Sequence, residues 1–388
     1  MRKSISILFT FFGAGLALVS ADPLNSYIQT NLVSDLPGVA AQMDPDLVNP
    51  WGIVAGPSTT SRPGTPFWVS DNGTGLSTIY DGKGNKQGLV VSIPPAPGGT
   101  PPSAPTGIVF NSVSSSFGGS PFIFSTEDGT IAAWIPPSTA ATIEASSPGS
   151  IYKGLASGNN GSGDLLYATN FALGRVDVFD SNFHGTTVPG GFTDPNLPAG
   201  YAPFNIQNIG GKLYVTYALQ DSGHEDDVPG AGHGFVDVFD LNGNLLQRLI
   251  SQGALNSPWG LAVASPGFGA LAGDLLVGNF GDGTIHAYDS SGNLVAALND
   301  VNGKPVMIPG LWGLSFGNGA HDQGVDTLFF TAGIPGSGSI EDHGLFGTLS
   351  AGTPEPQPAL LVGGTGLAAM LLLVFRKRLG RQRSEPQE

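Results

Sequence analysis

The stretch Asn49-Pro50-Trp51-Gly52-Ile53 decides the fold, because it returns along the chain. Clear copies are Ser257-Pro258-Trp259-Gly260-Leu261 and Gly310-Leu311-Trp312-Gly313-Leu314, and weaker ones are Ala104-Pro105-Thr106-Gly107-Ile108, Tyr152-Lys153-Gly154-Leu155 and Pro203-Phe204-Asn205-Ile206. Aligned on the Trp, the copies fall at positions 51, 106, 153, 205, 259 and 312, with 47 to 55 residues between neighbours. A period of about 50 residues is typical of propeller blades.

Each copy is followed by three more segments that favour strands. After the first copy these are the aromatic and β-branched run 67–72, the alternating run 77–81 and the apolar run 89–93. Four strands repeated six times predict an all-β, six-bladed β-propeller. The last unit lacks a fourth strand. We expect the N-terminal strand at residues 27–33 to close this last blade, which removes the open sheet edges.

Composition agrees with this fold and excludes several classes. The chain has 59 Gly and 31 Pro but is 40% hydrophobic, so the Gly and Pro residues are expected in turns rather than in disordered segments. It has no Cys, which excludes disulfides and thiol chemistry. Residues 22–352 contain 8 basic and 27 acidic residues, a net charge of −19. Such a surface repels phosphate backbones, so nucleic acid is not an expected partner.

The N-terminus is predicted to be a secretory signal peptide, residues 1–21. Arg2 and Lys3 precede an apolar stretch, 5–19, and the small residue Ala21 suits cleavage. The protein is therefore expected to be exported, with residues 22–352 as the folded body.

The C-terminal segment 353–388 has the order of a sorting signal. Pro354-Glu355-Pro356 precedes an apolar transmembrane helix predicted at 359–375 and the basic cluster Arg376-Lys377-Arg378. This order resembles the PEP-CTERM signal of Gram-negative bacteria. The resemblance implies processing by an exosortase and delivery to the cell envelope or an extracellular polysaccharide matrix, with membrane contact only through this tail. The alternative is a plain membrane anchor.

Polar residues where the second strands end suggest a site at one mouth of the channel. Asp71, Asn170 and Asn279 occupy equivalent positions, and Glu127 and Asp128 lie beside another. Oxygen ligands of this kind suit Ca²⁺, and Glu127 or Asp128 would serve as a catalytic base. The alternative is that these side chains satisfy turn backbones. Similar propellers, such as the regucalcin-type lactonases, hold a metal at such a mouth.

An unusual loop at residues 220–234 interrupts the fourth unit. It carries four carboxylates and two His residues that could bind Ca²⁺ or a transition metal, namely Asp221, His224, Glu225, Asp226, Asp227 and His233. Its spacing matches no known metal motif, so a solvated acidic loop is the alternative.

The body, residues 31–349, resembles a group of exported bacterial propellers that carry PEP-CTERM tails. The segments that carry the resemblance are 31–35, 49–53, 71–75, 125–131 and 226–240. The resemblance implies the propeller and the sorting route but no reaction.

Two functions follow from these features. The first is a binding or structural module of the cell envelope or extracellular matrix, whose partner would be a polysaccharide or an envelope protein. The second is a metal-dependent lactonase or lyase with its site at the channel mouth.

Overall fold

The computed structural model describes residues 25–352, which form six sheets of mainly antiparallel strands. The first strands in chain order are β1 (Tyr27–Ser34), β2 (Gln42–Met43), β3 (Pro50–Val54), β4 (Phe67–Asp71), β5 (Leu76–Tyr80), β6 (Val91–Ser92), β7 (Pro105–Phe110), β8 (Phe122–Thr126), β9 (Thr130–Trp134), β10 (Thr142–Ser146), β11 (Tyr152–Asn159) and β12 (Asp164–Asn170). The others are β13 (Arg175–Phe179), β14 (Gly185–Thr186), β15 (Tyr201–Ile209), β16 (Lys212–Leu219), β17 (Phe235–Phe239), β18 (Leu245–Ser251), β19 (Pro258–Val263), β20 (Leu275–Asn279), β21 (Ile285–Tyr288), β22 (Leu294–Ala297), β23 (Leu311–Phe316), β24 (Thr327–Ala332) and β25 (Leu345–Ala351).

The sheets are the blades of a six-bladed β-propeller, as the repeat predicts. Blades 1 to 5 contain β3–β6, β7–β10, β11–β14, β15–β18 and β19–β22 in order, and the first strand of each contacts that of the next blade. The described residues contain no α-helix, only the 3₁₀ turns Phe117–Gly119 and Gly269–Leu271. Within residues 25–352 no helix is long and apolar enough to cross a bilayer. The predicted signal peptide and sorting tail lie outside the described residues.

Blade 6 joins the two ends of the body. β1 pairs antiparallel with β25 from Tyr27↔Ala351 to Ser34↔Leu345, so the N-terminal strand closes the ring and confirms the prediction. β2 adds a fifth strand, parallel to β1. Buried contacts reinforce the closure, since Tyr27 stacks on Phe268 of blade 5 with ring centres 4.6 Å apart.

The inner strand of each blade has a bulge near its start. The pairing between first and second strands shifts after Pro50, Pro105, Tyr152, Pro203, Pro258 and Leu311. A bulge re-aims the following side chain, and these side chains form what we call the inner ring: Trp51, Thr106, Lys153, Phe204, Trp259 and Trp312. The position predicted for blade 4 was therefore wrong by one residue, because Phe204 rather than Asn205 is equivalent to the Trp residues.

The residue after each inner-ring position touches the next blade. A Cβ on Gly260 would lie 2.5 Å from the Trp312 carbonyl oxygen, and one on Gly52 would lie 2.5 Å from that of Thr106. Only glycine allows these approaches. Blade 4 has Asn205 at this position instead, and its Nδ2 donates to the Trp259 carbonyl at 2.7 Å. In blade 4 the Asn205 side chain thus makes, by a hydrogen bond, the contact with the next blade that glycine makes by close approach in the other blades.

An Asp residue shapes the outer hairpin in four blades. In blade 5, one carboxylate oxygen of Asp289 accepts from the N–H groups of Ser291 and Asn293, and the other accepts from the Asn293 side chain. Asp81, Asp180 and Asp240 hold their turns in the same way. These turns explain part of the high Asn, Asp and Gly content.

Candidate functional site

Aromatic side chains meet on the propeller axis at the end where the inner strands begin, which we call the mouth. Trp51 of blade 1 packs edge-on against Trp259 of blade 5, and both contact Trp312. Phe204 reaches Trp312 from blade 4, with ring centres 5.9 Å apart. Because blades 1 and 5, and blades 4 and 6, are not neighbours, these contacts must cross the axis. The rings therefore form a plug between the mouth and the rest of the channel.

On the other side of the plug the channel is a cavity of about 290 Å³. Each blade contributes one aliphatic residue two positions after the inner ring: Ile53, Ile108, Leu155, Ile206, Leu261 and Leu314. Polar residues also line it, namely Ser157, Asn205, Gln207, Asn208 and Ser315, but its lining includes no charged side chain, in contrast to the mouth.

Lys153 is the one charged residue of the inner ring. Its side chain is 2% exposed, and its ammonium lies 5.2 Å from the centre of the Trp51 ring and 5.9 Å from that of Phe171. The ammonium donates to Glu127 and, at 3.3 Å, to Asp226. Burial lowers the pKa of Lys153, but these two carboxylates outweigh it and raise the pKa above its usual value. Lys153 is therefore held as a cation.

A hydrogen-bonded chain of side chains runs around this ammonium. Asn72 donates to Glu127 at 2.9 Å, and Asn49 donates to both Asn72 and Glu341 at 3.3 and 3.0 Å. We call the whole set the mouth network: Glu341, Asn49, Asn72, Glu127, Lys153 and Asp226. Its members come from the loops or inner strands of blades 6, 1, 2, 3 and 4, so it exists only when the ring is closed.

Three residues at the mouth have strained backbones. Asn49 (φ 45°), Ser257 (φ 47°) and Glu341 (φ 76°) have positive φ angles, and the first two each precede a proline. The Asn49 side chain holds its conformation, because it donates to the mouth network and accepts from Trp312 Nε1 at 3.0 Å. Strain of this kind persists where surrounding contacts enforce it, and such residues are common at functional sites.

Two carboxyl groups at the mouth titrate near neutral pH. The pKa of Glu341 is raised to about 7, chiefly by burial and also by the charges of Glu127 and Asp226, while the Asn49 hydrogen bond and the Lys153 charge oppose the rise. Burial also raises the pKa of Asp227 to about 6, partly offset by Ser257 and Lys153. The Ser257 hydroxyl lies beside the Asp227 carboxylate and is its neighbouring donor.

The three residues predicted as a calcium ring are fully buried in their own blades. Asp71 accepts from the Thr78 N–H at 2.9 Å, the Asn170 oxygen accepts from the Leu173 N–H, and the Asn279 oxygen accepts from the Asn256 N–H. Their pairing with the inner strands confirms that they are equivalent positions. Their oxygens, however, accept from backbone N–H groups of their own blades, and of these donors only the Leu173 N–H belongs to the turn after the strand. As metal ligands they remain a prediction that the geometry does not favour.

In the blade-4 loop, residues 220–234, some acidic residues shape the loop and others reach the mouth. Asp221 accepts from the N–H groups of Glu225 and Asp226 and shapes the turn, while Glu225 is exposed. Only Asp226 and Asp227 reach the mouth. His233 is held by its own loop through the Val228 carbonyl, 2.8 Å from Nδ1.

The two candidate bases have different surroundings. Glu127 belongs to the mouth network, whereas Asp128 accepts from the Ala104 N–H at 3.1 Å. Among residues 25–352 no three side chains of the His, Cys, Asp and Glu types are grouped so as to hold a metal ion. Glu127 and Asp226 are instead paired with the ammonium of Lys153.

Sequence reasoning missed Lys153, Asn49 and Glu341 as site residues. For Lys153 a signal existed, since a charged residue occupies a repeat position that is aromatic in four of the six blades. Glu341 carried no local signal, because the fold brings it to Asn49 across 292 residues.

Comparison with solved structures finds a streptogramin B lyase at a TM-score of 0.47 and 13% identity, covering 84% of this chain and 97% of that one. No family model matches the sequence.

Two proteins of Acanthamoeba polyphaga mimivirus are similar over most of the chain. "Uncharacterized protein R648" is 35% identical over 328 residues, which is 78% of this chain and 76% of that protein. "Uncharacterized protein L690" is 35% identical over 321 residues, which is 78% of this chain and 80% of that protein. These viral relatives give no support to the expected membership of a bacterial PEP-CTERM group. The chain belongs to the protein family that includes R648 and L690 of the mimivirus.

Proposed function

We propose that this propeller is an exported binding module that holds its ligand at the mouth. The observation that carries the proposal is the mouth network, in which five blades place polar side chains around the buried ammonium of Lys153. The partner would be an envelope protein or an extracellular polysaccharide.

Apolar packing also holds the blades together at the inner ring. Blades pack through aliphatic and aromatic side chains, and four of the six inner-ring positions are Trp or Phe. A buried ammonium and carboxylate must lose water, which opposes folding unless their contacts compensate. A charge at this position therefore suggests a use beyond packing.

The blade-4 loop supports the same proposal. It is longer than the short turns of blades 1, 2, 3 and 5, and only the loop 333–344 of blade 6, which carries Glu341, is of similar length within the described residues. The blade-4 loop places Asp226, whose side chain is 77% exposed, over the ammonium. An accessible carboxylate above an otherwise buried polar network is suited to contact a ligand from solvent.

Binding is favoured over covalent catalysis by the state of Lys153. A lysine acts as a nucleophile when its pKa is lowered and the neutral amine is available. Here Glu127 and Asp226 hold the ammonium in its charged form. Lys153 thus contributes a fixed positive charge.

Export and sorting belong to the proposal through the two predicted terminal segments, with an exosortase as the processing partner. Detection of the body outside the cytoplasm, without residues 1–21, would support this part. Retention of the whole chain in the cytoplasm would contradict it.

Cosedimentation of the purified full chain with envelope and matrix material tests the binding function. Asp226→Lys reverses an exposed charge at the mouth, and Glu144→Lys makes the same change on the exposed face of β10. We expect Asp226→Lys to reduce binding at least tenfold and Glu144→Lys to leave it unchanged. Equal binding by both variants would refute a ligand site at the mouth.

A further inference from the structure

We infer that a groove between blades 1 and 2 binds a small carboxylic acid that carries an apolar ring. We call it the outer groove. Its volume is about 400 Å³, and its lining includes Arg62, Pro63, Trp68, Phe110, Phe122 and Trp134. This second site is separate from the mouth, and the inference does not depend on the proposed function.

The outer groove lies at the end of the blades away from the mouth. β7 of blade 2 begins at the mouth and ends at Phe110, which pairs with Phe122 at the start of β8. Trp68 is near the start of β4, and this strand ends at Asp71, which pairs with Pro50 at the mouth. A ligand in the groove is therefore separated from the mouth by about the length of a strand.

Aromatic rings form most of the groove. Trp68 stacks on Phe122 with ring centres 3.9 Å apart, and it lies 4.7 Å from Trp134. Phe110 packs edge-on against Phe122 at 5.4 Å. The other apolar residues of the lining are Ile79, Pro63, Pro66 and Pro121. A pocket of this size with apolar walls and few polar groups suits a small molecule, and flat rings favour stacked or edge-on contact with a ring of that molecule.

Arg62 is the only charged residue in the lining of the groove. Its guanidinium lies over the Phe110 ring, 5.6 Å from the ring centre. Residues 25–352 contain three arginines, and Arg175 and Arg248 pair with carboxylates, whereas Arg62 forms no ion pair within this range. The body carries 27 acidic residues against 8 basic ones, so its carboxylates could have supplied a partner. An unpaired cation beside an apolar groove complements an anionic group on an apolar ligand.

The loop that carries Arg62 is held in place by side chains of blade 6. Asn318 Nδ2 donates to the carbonyls of Gly56 and Thr65 at 2.8 and 2.9 Å, and His321 Nε2 lies 3.0 Å from the Gly64 carbonyl oxygen. These contacts position the loop without using the guanidinium of Arg62. A site that is ordered before binding loses less conformational entropy when the ligand arrives.

A single carboxylate is the anionic group that fits this groove. The planar guanidinium of an arginine forms two parallel hydrogen bonds with a carboxylate. A phosphate monoester carries a charge of about −1.5 to −2 at neutral pH, which one guanidinium does not balance. The remaining charge would be repelled by the acidic body. A neutral ligand would gain only the apolar contacts.

Calorimetric titration of the full chain tests the inference with matched probes. 2-Naphthoate carries an apolar ring system and one carboxylate, and 2-naphthamide is its neutral analogue of nearly the same shape. 2-Naphthyl phosphate carries the larger charge, and acetate carries the carboxylate without the rings. We expect 2-naphthoate to bind at least tenfold more tightly than each of the other three compounds.

Variants locate the binding to the outer groove. Arg62 is exposed, so Arg62→Gln should fold like the parent chain, and it should weaken 2-naphthoate binding at least tenfold. Lys212→Gln is the matched control, because it removes the same charge from the exposed start of β16. Phe110→Ala removes part of the apolar wall and should also weaken the complex. Lys212→Gln and Asp226→Asn at the mouth should leave it unchanged.

The inference is overturned by equal affinity for 2-naphthoate and 2-naphthamide, by tighter binding of 2-naphthyl phosphate, or by no binding of 2-naphthoate. Equal affinities of Arg62→Gln and Lys212→Gln would also overturn it, as would an unchanged Phe110→Ala complex. Loss of binding in Asp226→Asn would place the carboxylate at the mouth instead. Cosedimentation with envelope material is a separate measurement, so failure of the outer groove leaves the proposed function standing.

Discussion

The ammonium of Lys153 lies 5.2 Å from the centre of the Trp51 ring, and that ring stacks on Trp312 with centres 3.5 Å apart. Trp312 stacks in turn on Phe280 at 4.0 Å. Cation and rings thus form one column across the axis, joining blades 3, 1, 6 and 5. The aromatic plug of the channel therefore also contacts the ammonium of Lys153 at the mouth.

Glu127→Gln should destabilise the protein, because it leaves the buried ammonium of Lys153 with only the exposed Asp226 as a partner. We expect a loss of about 2–3 kcal/mol in unfolding free energy, measured by urea denaturation. Glu144→Gln, in the same blade but exposed, should change it by less than about 0.5 kcal/mol. Equal effects of the two substitutions would show that the ion pair adds no stability.

Gly260→Ala should disturb the contact between blades 5 and 6. The added methyl group would lie 2.5 Å from the Trp312 carbonyl oxygen, and backbone cannot move aside easily. We expect a loss of about 1–3 kcal/mol in unfolding free energy. Gly163→Ala is the control, since nothing lies within 4 Å of that position. A Gly260→Ala protein as stable as the control would contradict close packing at the inner ring.

Deletion of residues 1–34 should open the ring. It removes β1 and leaves β25 as an exposed edge, which would pair with other chains. We expect oligomers or aggregates by size-exclusion chromatography, where the full chain elutes as a defined species. A monomeric deletion variant with an unchanged urea midpoint would show that β1 does not close the propeller.

The Asp289 turn should contribute stability that depends on pH. Hydrogen bonds from Asn293 and Ser291 lower the pKa of Asp289 below its usual value. A carboxyl with a lowered folded-state pKa stabilises fully above its unfolded value and loses this effect as pH falls through the folded one. Asp289→Ala should therefore lower the urea midpoint at pH 7 and less so at pH 3. A difference that stays constant across this range would rule out the carboxylate as its source.

Removal of metals should leave the protein unchanged. The predicted ligands Asp71, Asn170 and Asn279 hold their own loops, so the geometry predicts no shift in melting temperature between EDTA and calcium chloride. A clear stabilisation by calcium, abolished by Asp71→Ala, would support the metal-dependent alternative.

The repeat predicts the fold well because blade packing depends on local patterns. Pro-Trp-Gly signatures and alternating strands set the blade number, and the missing fourth strand indicates closure by β1. The sequence alignment fails at Phe204 because blade 4 has neither the Trp nor the Gly of the signature. Asn205 contacts the next blade there through a side-chain hydrogen bond, where the other blades use glycine.

The site is less predictable because it is assembled from distant loops. Glu127, Asp226 and Asp227 were candidates by residue type, but the partner that Glu127 and Asp226 share is Lys153, which the repeat suggested only as a weak copy. Polar residues at strand ends cannot be divided by sequence into turn-forming ones, such as Asn170, and network members, such as Asn72. That division depends on which side chains face the axis.

We propose that the ligand binds at the mouth and not in the uncharged cavity at the other end of the channel. The direct measurement is the dissociation constant of the full chain for envelope material, compared between Asp226→Asn at the mouth and Gln207→Ala at the lining of the cavity. We expect at least a tenfold weaker complex for Asp226→Asn and less than a twofold change for Gln207→Ala. The reverse order would place the ligand in the cavity and contradict binding at the mouth.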